Sequence, residues 1–77
     1  MIFLYVEKKK IPVRLVEYIK EKKLDIKIKE LDIATREILA IYNIKEFPCL
    51  VNWSSKYVFK IGEKQIYKFL QDNGNKF

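Results

Sequence analysis

No histidine occurs in this chain. Nucleophilic catalysis by a Ser-His-Asp or Cys-His arrangement is therefore excluded. Tetrahedral zinc held by Cys and His ligands is excluded with it, and no metal or other cofactor is expected. Cys49 is the only cysteine, so no internal disulfide can staple the fold. That usage suits a reducing, cytoplasmic setting. Gly62 and Gly74 are the only glycines, too few for a loop that cradles phosphates. Arginine is scarce as well, with Arg14 and Arg36 the only two among 16 basic residues. Arginine supplies the planar forks that read bases and grip phosphates. No apolar run approaches the ~20 residues that span a bilayer. Met1 to Val6 is too short for the core of a targeting signal, so neither a membrane span nor a targeting segment is expected.

What the chain does contain is apolar and basic. Its 77 residues suffice for one domain, residues 1–77. A domain of this size buries only about 60% of its unfolded surface. The 49% hydrophobic and 14% aromatic content argues for a packed globule over disorder. The net charge of +6 attracts polyanions. The same lysines also read as a merely solvated surface, and both readings stand at this point.

Taken in order, Ile2 to Val6 is a continuous apolar run, the pattern of a strand buried on both faces. Glu7-Lys8-Lys9-Lys10 breaks it. Pro12 suits the first turn of a helix, where its missing N–H is no loss. Ile11, Leu15, Tyr18 and Ile19 lie on one face of that helix, and Lys20 to Lys23 form its charged last turn. Leu24 to Leu31 alternates Ile26 and Ile28 with Asp25, Lys27 and Lys29, a half-buried strand. Asp32 is an N-cap for a helix over Ile33 to Tyr42 whose apolar face is Ala34, Ile38 and Ile41, with Leu39 and Tyr42 beside it. Asn43 tolerates the left-handed backbone that ends it. Pro48 cannot donate to a sheet ladder, so it belongs at the start of the strand Cys49 to Trp53. Ser54-Ser55-Lys56 makes a turn into a strand over Tyr57 to Ile61, with Tyr57, Phe59 and Ile61 on one face. Gly62 breaks the chain before a last helix over Glu63 to Gln71, and a frayed polar tail runs from about residue 72. The order is βαβαββα. It predicts an α/β domain with a four-stranded mixed sheet flanked by helices. A ferredoxin-like βαββαβ order is the rival, and it needs a strand where Lys64 to Leu70 reads as helix.

Tyr42-Asn43-Ile44-Lys45-Glu46-Phe47-Pro48-Cys49-Leu50 resembles the helix-end, cis-proline and strand segment of thioredoxins and glutaredoxins. The element order extends the resemblance over essentially the whole chain, which is most similar to small glutaredoxin-like proteins. The resemblance implies a sheet of strand order 2-1-3-4 and a cis Phe47–Pro48 bond. It also implies that the Phe47 backbone is open to pair with an extended ligand. The family carries Cys-x-x-Cys at the start of the first helix, where helix N–H groups and the macrodipole favour a thiolate. Here those four positions fall on Lys10-Ile11-Pro12-Val13. Lysine stands at the nucleophile and valine at the resolving thiol, so a conventional dithiol oxidoreductase is not expected. Glu7 stands where glutaredoxins use a lysine toward glutathione, and the glycine pair after the last strand is reduced to Gly62. Glutathione is therefore not expected to bind as it does in the family.

The candidate ligand-binding residues are Lys8, Lys9, Lys10, Ile11, Pro12, Phe47, Pro48 and Cys49. The first reading is a redox-inactive binding module. It takes an acidic peptide, protein or other anionic ligand in the groove between Lys8–Val13 and Phe47–Cys49. The second reading is a weak thiol-disulfide oxidoreductase using Cys49, which otherwise reads as a small apolar residue at a strand start. The third is a basic nucleic-acid-binding protein. Glu17 and Glu21 lie one helical turn apart and read as solvent-face carboxylates near lysines, not an acid/base pair.

Overall fold

The computed structural model describes residues 2–54 and 58–73. Strand β1 (Ile2–Val6) is followed by α1 (Val13–Glu21), β2 (Ile26–Glu30), α2 (Ile33–Ile41), β3 (Cys49–Asn52), β4 (Val58–Ile61) and α3 (Glu63–Asp72). The strands form one four-stranded mixed sheet of order β2-β1-β3-β4. β1 runs parallel to β2 and antiparallel to β3, and β3 runs antiparallel to β4. The helix at Glu63–Asp72 removes the ferredoxin-like alternative.

β1 is central because its apolar run serves both faces. Leu4 and Val6 face one way and pack with Leu15 and Ile19 of α1, Ile26 of β2, Leu50 of β3, and Ile66 and Leu70 of α3. Tyr5 faces the other way and packs with Leu39 of α2, Ile44, Cys49 and Val51. Register and burial agree, since Leu4 pairs with Leu50 and Tyr5 with Cys49. Two helices thus cover one face and a single helix covers the other.

Local chemistry sets the element ends. Asp32 caps α2 by accepting a hydrogen bond from the Thr35 N–H at 2.7 Å. That bond to the charged form holds its carboxyl below the usual carboxylate range. Asn43 ends α2 with φ 62°. Gly62 precedes α3 with φ 91°, a backbone that side chains disfavour, and its N–H donates to the Pro48 carbonyl at 3.0 Å.

Several expectations need correction. α1 begins at Val13, so Ile11 lies outside the helix and is 43% exposed instead of on its buried face. Its last turn stops at Glu21, because Lys23 turns left-handed at φ 54°. β2 is shorter than Leu24 to Leu31, β3 stops before Trp53, and α2 stops before Tyr42. α3 takes in Asp72, so the tail begins later. The Ser55-Lys56 part of the turn, Tyr57, the Phe59 side chain and the end of the tail lie outside the described residues.

The largest correction concerns α2. Its buried side is Thr35 and Leu39, whereas Ile38 is 50% and Ile41 81% exposed. α1 and α3 lie side by side and cover each other's flanks, as the Tyr18 and Tyr67 rings 4.9 Å apart attest. Among the described residues α2 is the one helix on its face, and the stripe pointing at the sheet is what it buries. Leu39→Ala should therefore cost about 2–5 kcal/mol, the usual range for emptying a packed site. Ile41→Ala, measured in dilute protein, should stay within about 0.5 kcal/mol. Chemical denaturation of the two variants checks this, and the reverse ranking would restore the Ile38–Ile41 face to the core.

Candidate functional site

The antiparallel pairing of β1 with β3 sets Tyr5 beside Cys49. The loop leaving β1 and the segment entering β3 therefore emerge at the same end of the sheet. The loop is a tight turn in which the Lys10 N–H donates to the Glu7 carbonyl at 3.1 Å. Lys8, Lys9 and Lys10 are exposed on it, and Pro12 behind them is buried. Across from the turn, Phe47 and Pro48 are half-buried and joined by a cis peptide bond.

Arg36 of α2 links the two segments. Its guanidinium lies 3.6 Å from the Glu7 carboxylate and 5.5 Å from the centre of the Phe47 ring. Both partners of this ion pair are substantially exposed, so it adds little stability and serves mainly to fix position. Sequence periodicity could not reveal Arg36, because its two partners lie on other elements far along the chain. No hydrogen bond among the described residues uses the Phe47 main chain.

All three helices begin at this end of the sheet, after β1, β2 and β4, which share one direction. Their N-termini differ. α2 is capped by Asp32, and α3 has Glu63 in its first turn. α1 has neither a side-chain cap nor an acidic residue in its first turn. Its leading N–H groups open beside Lys8–Lys10 and carry the positive end of the helix dipole.

Cys49 is apart from this surface. It is 0% exposed and packed among Tyr5, Leu39, Ile44 and Val51. Burial pushes its thiol up to about 12. Burial also raises the Tyr5 phenol, against the opposing effect of the hydrogen bond that the Trp53 indole N–H donates to its oxygen at 2.9 Å. The candidate residues thus divide into exposed lysines, a half-buried Phe47–Pro48 step and an interior thiol. No group of three or more acidic, Cys or His residues able to hold a metal ion occurs among the described residues. No described helix is long and apolar enough to cross a membrane.

A surface cavity of about 750 Å³ lies elsewhere. It runs between α1 and α3 over the Tyr18 and Tyr67 rings, and its walls carry charges of both signs, Arg14, Glu17 and Glu21 from α1 and Glu63, Lys64 and Lys68 from α3. Glu17 and Glu21 are exposed, as expected of solvent-face carboxylates, and stand on the wall of this groove. None of the candidate binding residues contributes to it.

A thiol whose folded pKa lies above its unfolded value favours folding in its neutral form. That contribution is complete below about 8.5, the unfolded value, and is lost as pH rises toward about 12. At pH 8, a disulfide reagent such as Ellman's should label Cys49 in the folded chain at least about a hundredfold more slowly than in denaturant, because labelling must await opening. Labelling at the unfolded rate would contradict the buried placement. No protein-family model matches this chain, and no curated protein or solved structure is significantly similar to it.

Proposed function

We propose that this chain is a thioredoxin-like, glutaredoxin-like domain without dithiol chemistry, and that it binds an acidic, extended ligand at the sheet end formed by Lys8–Val13 and Phe47–Pro48. Three features support the fold assignment. They are the βαβαββα order, the β2-β1-β3-β4 sheet, and the division of α1 and α3 from α2 across it. Lys10 and Val13 occupy the positions of the family's two thiols. The buried Cys49 argues against the oxidoreductase reading, since thiolate is the attacking species.

The observation that carries the ligand reading is the uncapped start of α1 beside three exposed lysines. In the resembling family this helix end stabilises a thiolate. Here the same electrostatics would stabilise a carboxylate or phosphate supplied by the ligand. Arg36 adds a fourth cation at the margin, and the Phe47 main chain, which takes no hydrogen bond among the described residues, offers a donor and acceptor for an extended backbone. Single helix-end charge interactions are worth about 0.3–1 kcal/mol when exposed, so affinity needs several of them together.

Fluorescence anisotropy with a labelled glutamate-rich peptide tests this reading. Binding should weaken as salt rises. The double change Lys9→Glu/Lys10→Glu should weaken it at least about tenfold, with the circular dichroism spectrum unchanged. Affinity indifferent to that change would remove the site. Stronger binding of a single-stranded oligonucleotide than of the peptide would favour the nucleic-acid reading.

A further inference from the structure

The groove between α1 and α3 lies apart from the sheet end. Its volume of about 750 Å³ falls within the roughly 300–1,000 Å³ usual for small-molecule sites. Arg14, Glu17, Tyr18 and Glu21 recur along one side of α1, and Lys64, Tyr67, Lys68 and Gln71 along one side of α3. Three- and four-residue spacing keeps each set on a single helix face, so each helix gives the groove one continuous wall. The Tyr18 and Tyr67 rings, 4.9 Å apart and tilted by 50°, form the floor. Both are half-buried, and neither hydroxyl has a hydrogen-bond partner among the described residues. Nor, among the described residues, does an ion pair join any of the charged side chains on the walls. We propose that this groove binds a short free peptide of about three residues, held by its two charged ends.

The order of the charges selects that ligand. α1 and α3 start at the same end of the sheet, so the groove has a start and a finish. Contact of Tyr18, the sixth residue of α1, with Tyr67, the fifth of α3, keeps the helices in step. At the start, Arg14 and Lys64 outweigh Glu63. In the middle, Glu17 and Lys68 balance. At the finish, Glu21 stands with the neutral Gln71. The helix dipoles run the same way, positive at the start and negative at the finish. Three cations and three carboxylates cancel in the groove, whereas the whole chain carries +6. A simple anion is therefore drawn to lysines elsewhere, and a simple cation is opposed by the chain. A neutral molecule with separated charges gains at both ends of this groove.

Length narrows the class. Arg14 and Glu21 are seven residues apart on α1, about 10 Å along its axis. Three extended residues span about the same distance, at roughly 3.3 Å each. The carboxylate of such a peptide meets Arg14 and Lys64 while its ammonium meets Glu21. Its central side chain lies on the tyrosine floor, which suits an aromatic ring. The Tyr18 and Tyr67 hydroxyls, with Glu17 and Lys68, supply donors and acceptors for the peptide groups between. A single amino acid has its charges too close together to reach both ends.

A two-dimensional NMR titration of the full chain with the tripeptide Ala-Phe-Ala tests the proposal. The amides of Arg14–Glu21 and Lys64–Gln71 should shift along one saturable curve below about 10 mM peptide, while those of Lys8–Lys10 and Phe47 stay in place. Acetylating the peptide's amino end, or amidating its carboxyl end, should each weaken binding at least about fivefold. Glu21→Gln, at an exposed position, should weaken the free peptide to the same degree and leave the acetylated one unaffected. That separation tells recognition of the ammonium from a general change in the helix, and circular dichroism checks that the fold is kept. No saturable shift in the groove, or shifts confined to the sheet end, overturns the proposal. So does equal affinity for free and capped peptides, the result expected of a groove for a segment of a longer protein. A Glu21→Gln change that weakens free and acetylated peptides alike overturns it too.

Discussion

The antiparallel pairing of β1 with β3 is the constraint on which the rest of the molecule depends. β1 is hydrogen-bonded on both edges and apolar on both faces, so its register fixes two cores at once. With Leu4 opposite Leu50 and Tyr5 opposite Cys49, the leucines meet α1 and α3 while the tyrosine and cysteine meet α2. A slip of one residue would exchange the two sets and bury neither properly. The same pairing brings the lysine turn after Val6 to Phe47, far apart in sequence. The candidate site therefore follows from the core and not from any local motif.

An unequal division of helices follows from the same sheet. The face shared by α1 and α3 is covered by both helices, with the Tyr18 and Tyr67 rings tilted against each other at the floor of the groove between them. The face under α2 is narrower in its coverage. Lys27 and Lys29 of β2 stay in solvent there, and no second helix among the described residues flanks α2. The chain consequently shows two contrasting surfaces. One is a cationic sheet end, where an uncapped helix start adds to the lysines. The other is a lysine-free apolar helix side.

Much of the architecture was legible because punctuation is strong. Asn43, Pro48 and Gly62 sit at the ends where left-handed, donor-free or glycine-favoring backbone is needed, and Asp32 is the side-chain cap that its position implied. The inward face of α2 was not legible. Ile33, Ala34, Ile38, Leu39, Ile41 and Tyr42 place apolar side chains around most of the helix, so periodicity could not single out Leu39. Only the absence of a flanking helix decides that Ile41 is outside. Ile11 falls outside because Pro12 is the N-cap and not the first helical residue, so the helix starts one residue later than the proline's preference implies. Lys8, Lys9 and Lys10 were readable as a cationic loop. Arg36 was not, since its role needs Glu7 and Phe47 brought together by the tertiary fold.

The central claim is that the sheet end joining β1 to β3 is an anion-favouring surface built on the open start of α1. The most direct measurement is a two-dimensional NMR titration of the backbone amides with a glutamate-rich peptide. The account predicts that the amides of residues 8–15, omitting Pro12, and Phe47 shift together along one saturable curve, while those of α3 and of Ile38 and Ile41 stay in place. Shifts centred on the groove between α1 and α3, or no shift at Val13, Arg14 and Leu15, would contradict it.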